Sequence, residues 1–173
     1  NNNSGSDTIA LSSATYGLSI AGTDGDTNAT GDLDVTGDTL IIEGVDANTT
    51  IIDGNSIDRV LDVASGANVT LSSLTVTGGS YGGGYGGGIR NQGTLTLDEV
   101  TVTANVLTEG SLGGAGIYSS GSLLIDDSTI SNNTATYDFG NGGGIFFNYS
   151  AGALQIHNST ISGNTVDDFG GGL

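Results

Sequence analysis

Carboxylates dominate the side chains that could do chemistry: Asp and Glu number 19, against 2 for Lys plus Arg and 1 His. The densest group is Asp24, Asp26, Asn28, Asp32 and Asp34, in an Asp-rich insertion at 22–34. Oxygens at every second residue, as in Asp24-x-Asp26-x-Asn28, echo the first half of a calcium loop, where they converge on one hard cation. Ala29 stands where such a loop needs glycine and Val35 where it needs a bidentate glutamate, so an EF-hand is excluded. A looser Ca2+ site of carboxylates and carbonyls is the remaining metal reading, set against a solvated acidic loop. A second acidic array is formed by Asp98-Glu99 and Asp126-Asp127, with His157-Asn158 at the corresponding place further on.

Proton-transfer catalysis needs an acid or base poised in a pocket. Arg59 and Arg90 are the only strong cations, and no catalytic set can be assembled around His157, so the chain reads as a non-enzyme with no catalytic residue assigned. The glycine triplets do not link a strand to a helix, as a phosphate loop would. They read instead as tight corners with φ > 0.

The elements that must position these residues follow from a repeat. Gly-Gly-Gly-Ile at 86–89, Gly-Ala-Gly-Ile at 114–117, Gly-Gly-Gly-Ile at 142–145 and Gly-Gly-Gly-Leu at 170–173 put an aliphatic at 89, 117, 145 and 173, a step of 28 residues. Each unit continues into an alternating segment, Thr94 to Leu97, Ser122 to Ile125 or Ala153 to Ile156, and then a shorter one, Thr101 to Thr103, Thr129 to Ser131 or Thr160 to Ser162. Alternation with β-branched residues at the apolar positions predicts strands with one face inward. One such unit buries little, but units stacked about 4.8 Å apart share a continuous core. The expected fold is all-β: one domain over 1–173, a single-stranded right-handed parallel β-helix of about six coils. Residues 1–60 form irregular N-terminal coils, and 61–173 form regular coils of about 28 residues.

Stacked coils turn repeated residues into ladders. Asn105, Asn133 and Asn164 form a structural ladder joined by their amides. Thr75, Thr77, Thr101, Thr103, Thr129, Ser131, Thr160 and Ser162 form a surface ladder of outward hydroxyls, a surface of the kind ice-binding solenoids present. Tyr81, Tyr85, Phe139 and Phe169 lie at loop positions, where they are candidates for contact with a glycan or a neighbouring subunit.

A formal charge of −17 excludes nucleic acid and anionic lipid as partners. No cysteine is present, so thiolate metal sites and disulfides are excluded. No apolar run approaches the roughly 18 residues of a membrane helix. The chain lacks methionine and opens on Asn1-Asn2-Asn3, which reads as a processed product or a fragment, and export is inferred. Sequons at Asn2, Asn28, Asn48, Asn68, Asn132, Asn148 and Asn158 are largely what this composition yields by chance.

The chain resembles bacterial secreted right-handed β-helix repeat proteins of the pectate-lyase-like superfamily. Its likeness is to large surface proteins and to the repeats of polymorphic outer-membrane proteins, which carry Gly-Gly-Ala before an aliphatic and Phe-x-x-Asn. The first motif is matched at 86–89, 114–117 and 142–145; the second appears as Val102-x-x-Asn105, Ile130-x-x-Asn133 and Ile161-x-x-Asn164, with an aliphatic in place of Phe. Thr30 to Val35, Ile51 to Gly54 and Asp58 to Val60 also resemble the opening of surface proteins with a CSLREA-type leader. The resemblance implies the fold and an extracellular or cell-surface location. The superfamily's lyases use a basic residue beside Ca2+, and its hydrolases use clustered aspartates with His and Lys, groups this chain does not assemble.

The expected function is therefore that of an extracellular structural protein, a head-to-tail filament subunit or a segment of an adhesin. Its expected partners are further copies stacked end to end or further coils of a longer chain. A carbohydrate-binding or polysaccharide-degrading β-helix is the alternative, with glycans as partners, and an ice-binding solenoid comes third.

Overall fold

A computed structural model of the chain describes residues 5–22, 30–37, 39–108, 113–136, 141–148, 152–167 and 170–173. Every regular element among them is a strand, and every strand pairing is parallel. The strands form four sheets. Sheet 1 stacks six strands from Asp7–Ala10 to Leu154–His157, and sheet 2 six from Thr15–Gly17 to Thr160–Ser162. Sheet 3 stacks four, from Ser80–Tyr81 to Thr165–Val166, and sheet 4 five, from Leu33–Val35 to Ile145–Phe147. The chain visits sheets 1, 2, 3 and 4 in that order and then rejoins sheet 1 one rung along, which makes a parallel β-solenoid.

The coil count needs correction. Among the described residues four turns carry a strand of sheet 3, so the regular solenoid has about four turns rather than six, preceded by two looser turns where sheet 3 has no described strand. The 28-residue step nevertheless reaches into the looser part. Leu33 pairs with Leu61, Leu61 with Ile89, Ile89 with Ile117 and Ile117 with Ile145.

Each sheet feeds the core through alternation. Leu95 and Leu97 are fully buried while Thr96 between them is half-buried, and they sit in register with Val69 and Leu71 on one side and Leu123 and Ile125 on the other. Ile52, Val76, Val102 and Ile130 form the matching column from sheet 2. Each buried aliphatic contributes about 1.5–3 kcal/mol, and repetition along the axis turns thin coils into one continuous core.

The corners carry the unusual backbone. Ser73, Glu99, Asp127 and Asn158, between sheets 1 and 2, all have φ between 44° and 55°. Gly78, Ala104, Asn132 and Gly163, between sheets 2 and 3, have φ between 54° and 65°. Immediately after the second set comes the asparagine ladder. Asn105 Nδ2 donates to Asn133 Oδ1 (3.0 Å) and Asn133 Nδ2 to Asn164 Oδ1 (2.9 Å). The same Oδ1 atoms accept the backbone N–H of Asn105 and Asn133 (3.0 Å each). Asn105 and Asn133 have no exposed surface, so these bonds satisfy corner amides that water cannot reach.

The third glycine of each triplet is explained by this ladder. A Cβ on Gly116 would lie 2.8 Å from Asn133 Nδ2 and 2.5 Å from the Gly144 carbonyl oxygen, and Gly88 and Gly144 face Asn105 and Asn164 in the same way. The asparagine and the glycine of the facing corner are thus one packing unit. Gly79, at the rung where an asparagine is missing, donates its N–H to Asn105 Oδ1 (2.9 Å), and a Cβ there would overlap the Gly87 carbonyl oxygen.

Candidate functional site

The middle residue of each sheet 4 strand points away from the core, because its neighbours point in. Read along the axis, these residues form one row: Asp34, Asp62, Arg90, Tyr118 and Phe146, each paired in register with the next. The row is largely covered. Asp62 is 4% and Tyr118 6% exposed, although both lie on the outer face of a sheet.

The cover comes from the segments that run between sheets. Arg59 is buried and packs its guanidinium 3.9 Å from the centre of the Tyr81 ring. Its Nε lies 2.8 Å from Asp32 Oδ2, and its Nη1 donates to the Tyr85 carbonyl oxygen (2.9 Å). Asp58 accepts the backbone N–H of Arg59 at Oδ1 (2.7 Å). Arg90 forms an ion pair with Asp62 Oδ2. The Tyr85 ring meets Tyr118 edge-on at 4.6 Å, and Tyr118 stacks on Phe146 at 5.8 Å. Both arginines of the chain therefore lie in one cluster with Asp32, Asp34, Asp58 and Asp62, at the start of an aromatic row.

The charge balance is uneven. Four carboxylates face two guanidiniums, and Asp32, Asp34 and Asp62 each bring an oxygen within 4.8 Å of the others. Burial pushes the Asp32 carboxyl up to about 7; Arg59 works against this, and Asp34, Asp58 and Asp62 add to it. Open clefts flank the group, one beside Asp32 lined by Leu18, Thr30 and Gly31, the other beside Asp34 lined by Asp7, Thr36 and Thr39.

Of the residues considered for metal, Asp32 lies in this cluster at 6% exposure and Asp34 is half-buried, while Asp24, Asp26 and Asn28 lie outside the described residues. Tyr81 and Tyr85 are half-buried against Arg59 and Tyr118; Phe139 and Phe169 lie outside the described residues. The hydroxyl columns of sheet 2 are in register from Thr75 to Ser162. Thr75 is buried and its hydroxyl donates to the Ala47 carbonyl oxygen (2.6 Å), and Ser131 donates to Thr103 (3.3 Å). In the second acidic array, Asp98 pairs with Asp126 and Asp126 with His157, and Glu99 Oε2 accepts from Ser73 (2.9 Å).

Asp58, Asp62, Tyr118 and Phe146 were not singled out by sequence reasoning, yet a signal was present. Leu33-Asp34-Val35 recurs as Leu61-Asp62-Val63 one 28-residue step later, and the outward row occupies the next position after each aliphatic of that step. Asp58 and the covering role of Arg59 have no such periodicity, since they lie on an irregular connection.

Comparison of the chain with protein-family models, with curated proteins and with solved structures finds no match.

Proposed function

We propose that the chain is an extracellular, cell-surface structural module of the right-handed β-helix repeat kind, serving as a segment of an adhesin or a subunit of a filament. The observation that carries this reading is where the repeating polar groups go. Asn105, Asn133 and Asn164, with Ser119 and Ser128, direct their side chains into bonds from coil to coil or within a corner. A repeat that bonds mainly to itself favours rigidity along the axis. Parallel strands also accept further strands at an edge, from the same chain or another copy.

Negative-stain microscopy and sedimentation of the purified chain test the reading. Rods or end-to-end polymers are expected; compact, strictly monomeric particles at high concentration argue against a filament. Turnover of acidic polysaccharides by the purified chain would overturn the structural reading altogether.

A carbohydrate-binding role is the second reading, favoured by the half-buried Phe146 and Phe147, which line an open cleft with Asn141 and Leu154. Aromatic faces bordered by polar groups suit sugar rings. Binding on a glycan array that is lost in Phe146→Ala would support it.

A further inference from the structure

We propose that Asp32, Asp34 and Asp62 hold one Ca2+ ion, which ties the first strand of sheet 4 to the second and so joins the two looser turns to each other. The three carboxylates come from different parts of the chain: Asp32 from the approach to Leu33–Val35, Asp34 from within it, and Asp62 from the neighbouring strand Leu61–Val63. Oxygens within 4.8 Å of one another suit a central cation at the 2.3–2.6 Å typical of Ca2+. An all-oxygen donor set selects a hard cation over zinc or copper.

An acidic cluster alone would not carry this inference. The second observation is Asp62. It is 4% exposed, and Arg90 holds its Oδ2, while Oδ1 is buried with no hydrogen-bond partner. A buried carboxylate oxygen left bare is costly. With Oδ2 committed to Arg90, Oδ1 is the oxygen Asp62 has to offer a cation. When all four carboxyls are ionised they outnumber the two guanidiniums by two charges, which one divalent ion balances. Asp34 is half-buried beside an open cleft, leaving an approach for the ion and room for the waters that complete a coordination of 6–8.

The test is calorimetric titration of CaCl2 into the whole 173-residue chain after removal of divalent ions by chelator. One Ca2+ per chain is expected, with affinity lowered at least tenfold in Asp34→Asn and in Asp62→Asn and unchanged in Asp98→Asn. Because Asp62→Asn alters a buried ion pair and could fail to fold, Asp34→Asn, at a half-buried position, decides the matter, with circular dichroism checking that the strands persist. Thermal unfolding should shift upward with Ca2+ in the parent chain and not in Asp34→Asn. Absence of binding at millimolar Ca2+ overturns the proposal, as does binding that survives Asp34→Asn or is lost in Asp98→Asn. None of these results bears on whether the module is structural, which microscopy and turnover assays judge separately.

Discussion

Ala104 occupies a left-handed corner at φ 54°, where its equivalents are Gly78, Asn132 and Gly163. An alanine Cβ in that region clashes with the backbone at a cost of about 1–2 kcal/mol, a strain that glycine avoids. Ala104→Gly is therefore expected to stabilise the chain by about 1 kcal/mol in urea unfolding, the strain relieved exceeding the chain entropy glycine adds. Asp32 offers a second prediction. Its carboxyl, at about 7 when folded against 3.8 as the ordinary value, keeps its proton in the folded state while the unfolded chain has lost it. Between these values the folded state binds more protons, so stability falls as pH rises from about 4 to about 7. With chelator present, the melting temperature of the parent should lose more over this range than that of Asp32→Asn. Parallel pH profiles for the two would show that Asp32 is ionised throughout.

At the scale of the element, the asparagine ladder and the glycine corner act as a pair. Asn133 accepts two hydrogen bonds from Asn105 and donates to the Val102 carbonyl oxygen (3.0 Å) and to Asn164. Asn133→Ala leaves the buried Asn105 N–H bare, and a destabilisation of about 3 kcal/mol or more is expected in chemical denaturation. Gly116→Ala should also destabilise, because its Cβ meets Asn133 Nδ2 and the Gly144 carbonyl oxygen. Combining the two removes one of these clashes. The double variant should thus be less destabilised than the sum by about 1 kcal/mol, whereas strict additivity would mean that the corner and the ladder are independent.

For the whole molecule, stability is a sum of turns and of the interfaces between them. The central strands Thr94–Asp98 and Ser122–Asp126 have partners on both sides and inward residues with almost no exposure, whereas Leu154 and Ile156 at one end are only half-buried and Ile9 at the other is 47% exposed. Amide hydrogen exchange should be slowest at Leu95–Leu97 and Leu123–Ile125 and faster towards both ends. Uniform protection from Ile9 to Ile156 would instead indicate one cooperative unit.

How much could be read from the sequence depended on whether the signal was periodic. The aliphatic step from Ile89 to Ile117 and Ile145 identified the solenoid, because a coil of constant length brings equal residues into register. The alternation around Leu95 and Leu123 likewise showed which faces turn inward. The number of turns carrying sheet 3 was not legible, since two-residue strands such as Val106–Leu107 leave almost no pattern. The cluster around Asp32 depended on tertiary structure for a different reason. Asp34 and Asp62 follow the repeat, but Arg59, which contacts Asp32 and Tyr81, lies on the irregular connection that leads into Leu61–Val63. Local periodicity determines which residues stack. Which charges become buried, and so which carboxyl holds its proton or seeks a cation, is decided by the three-dimensional cover laid over that stack.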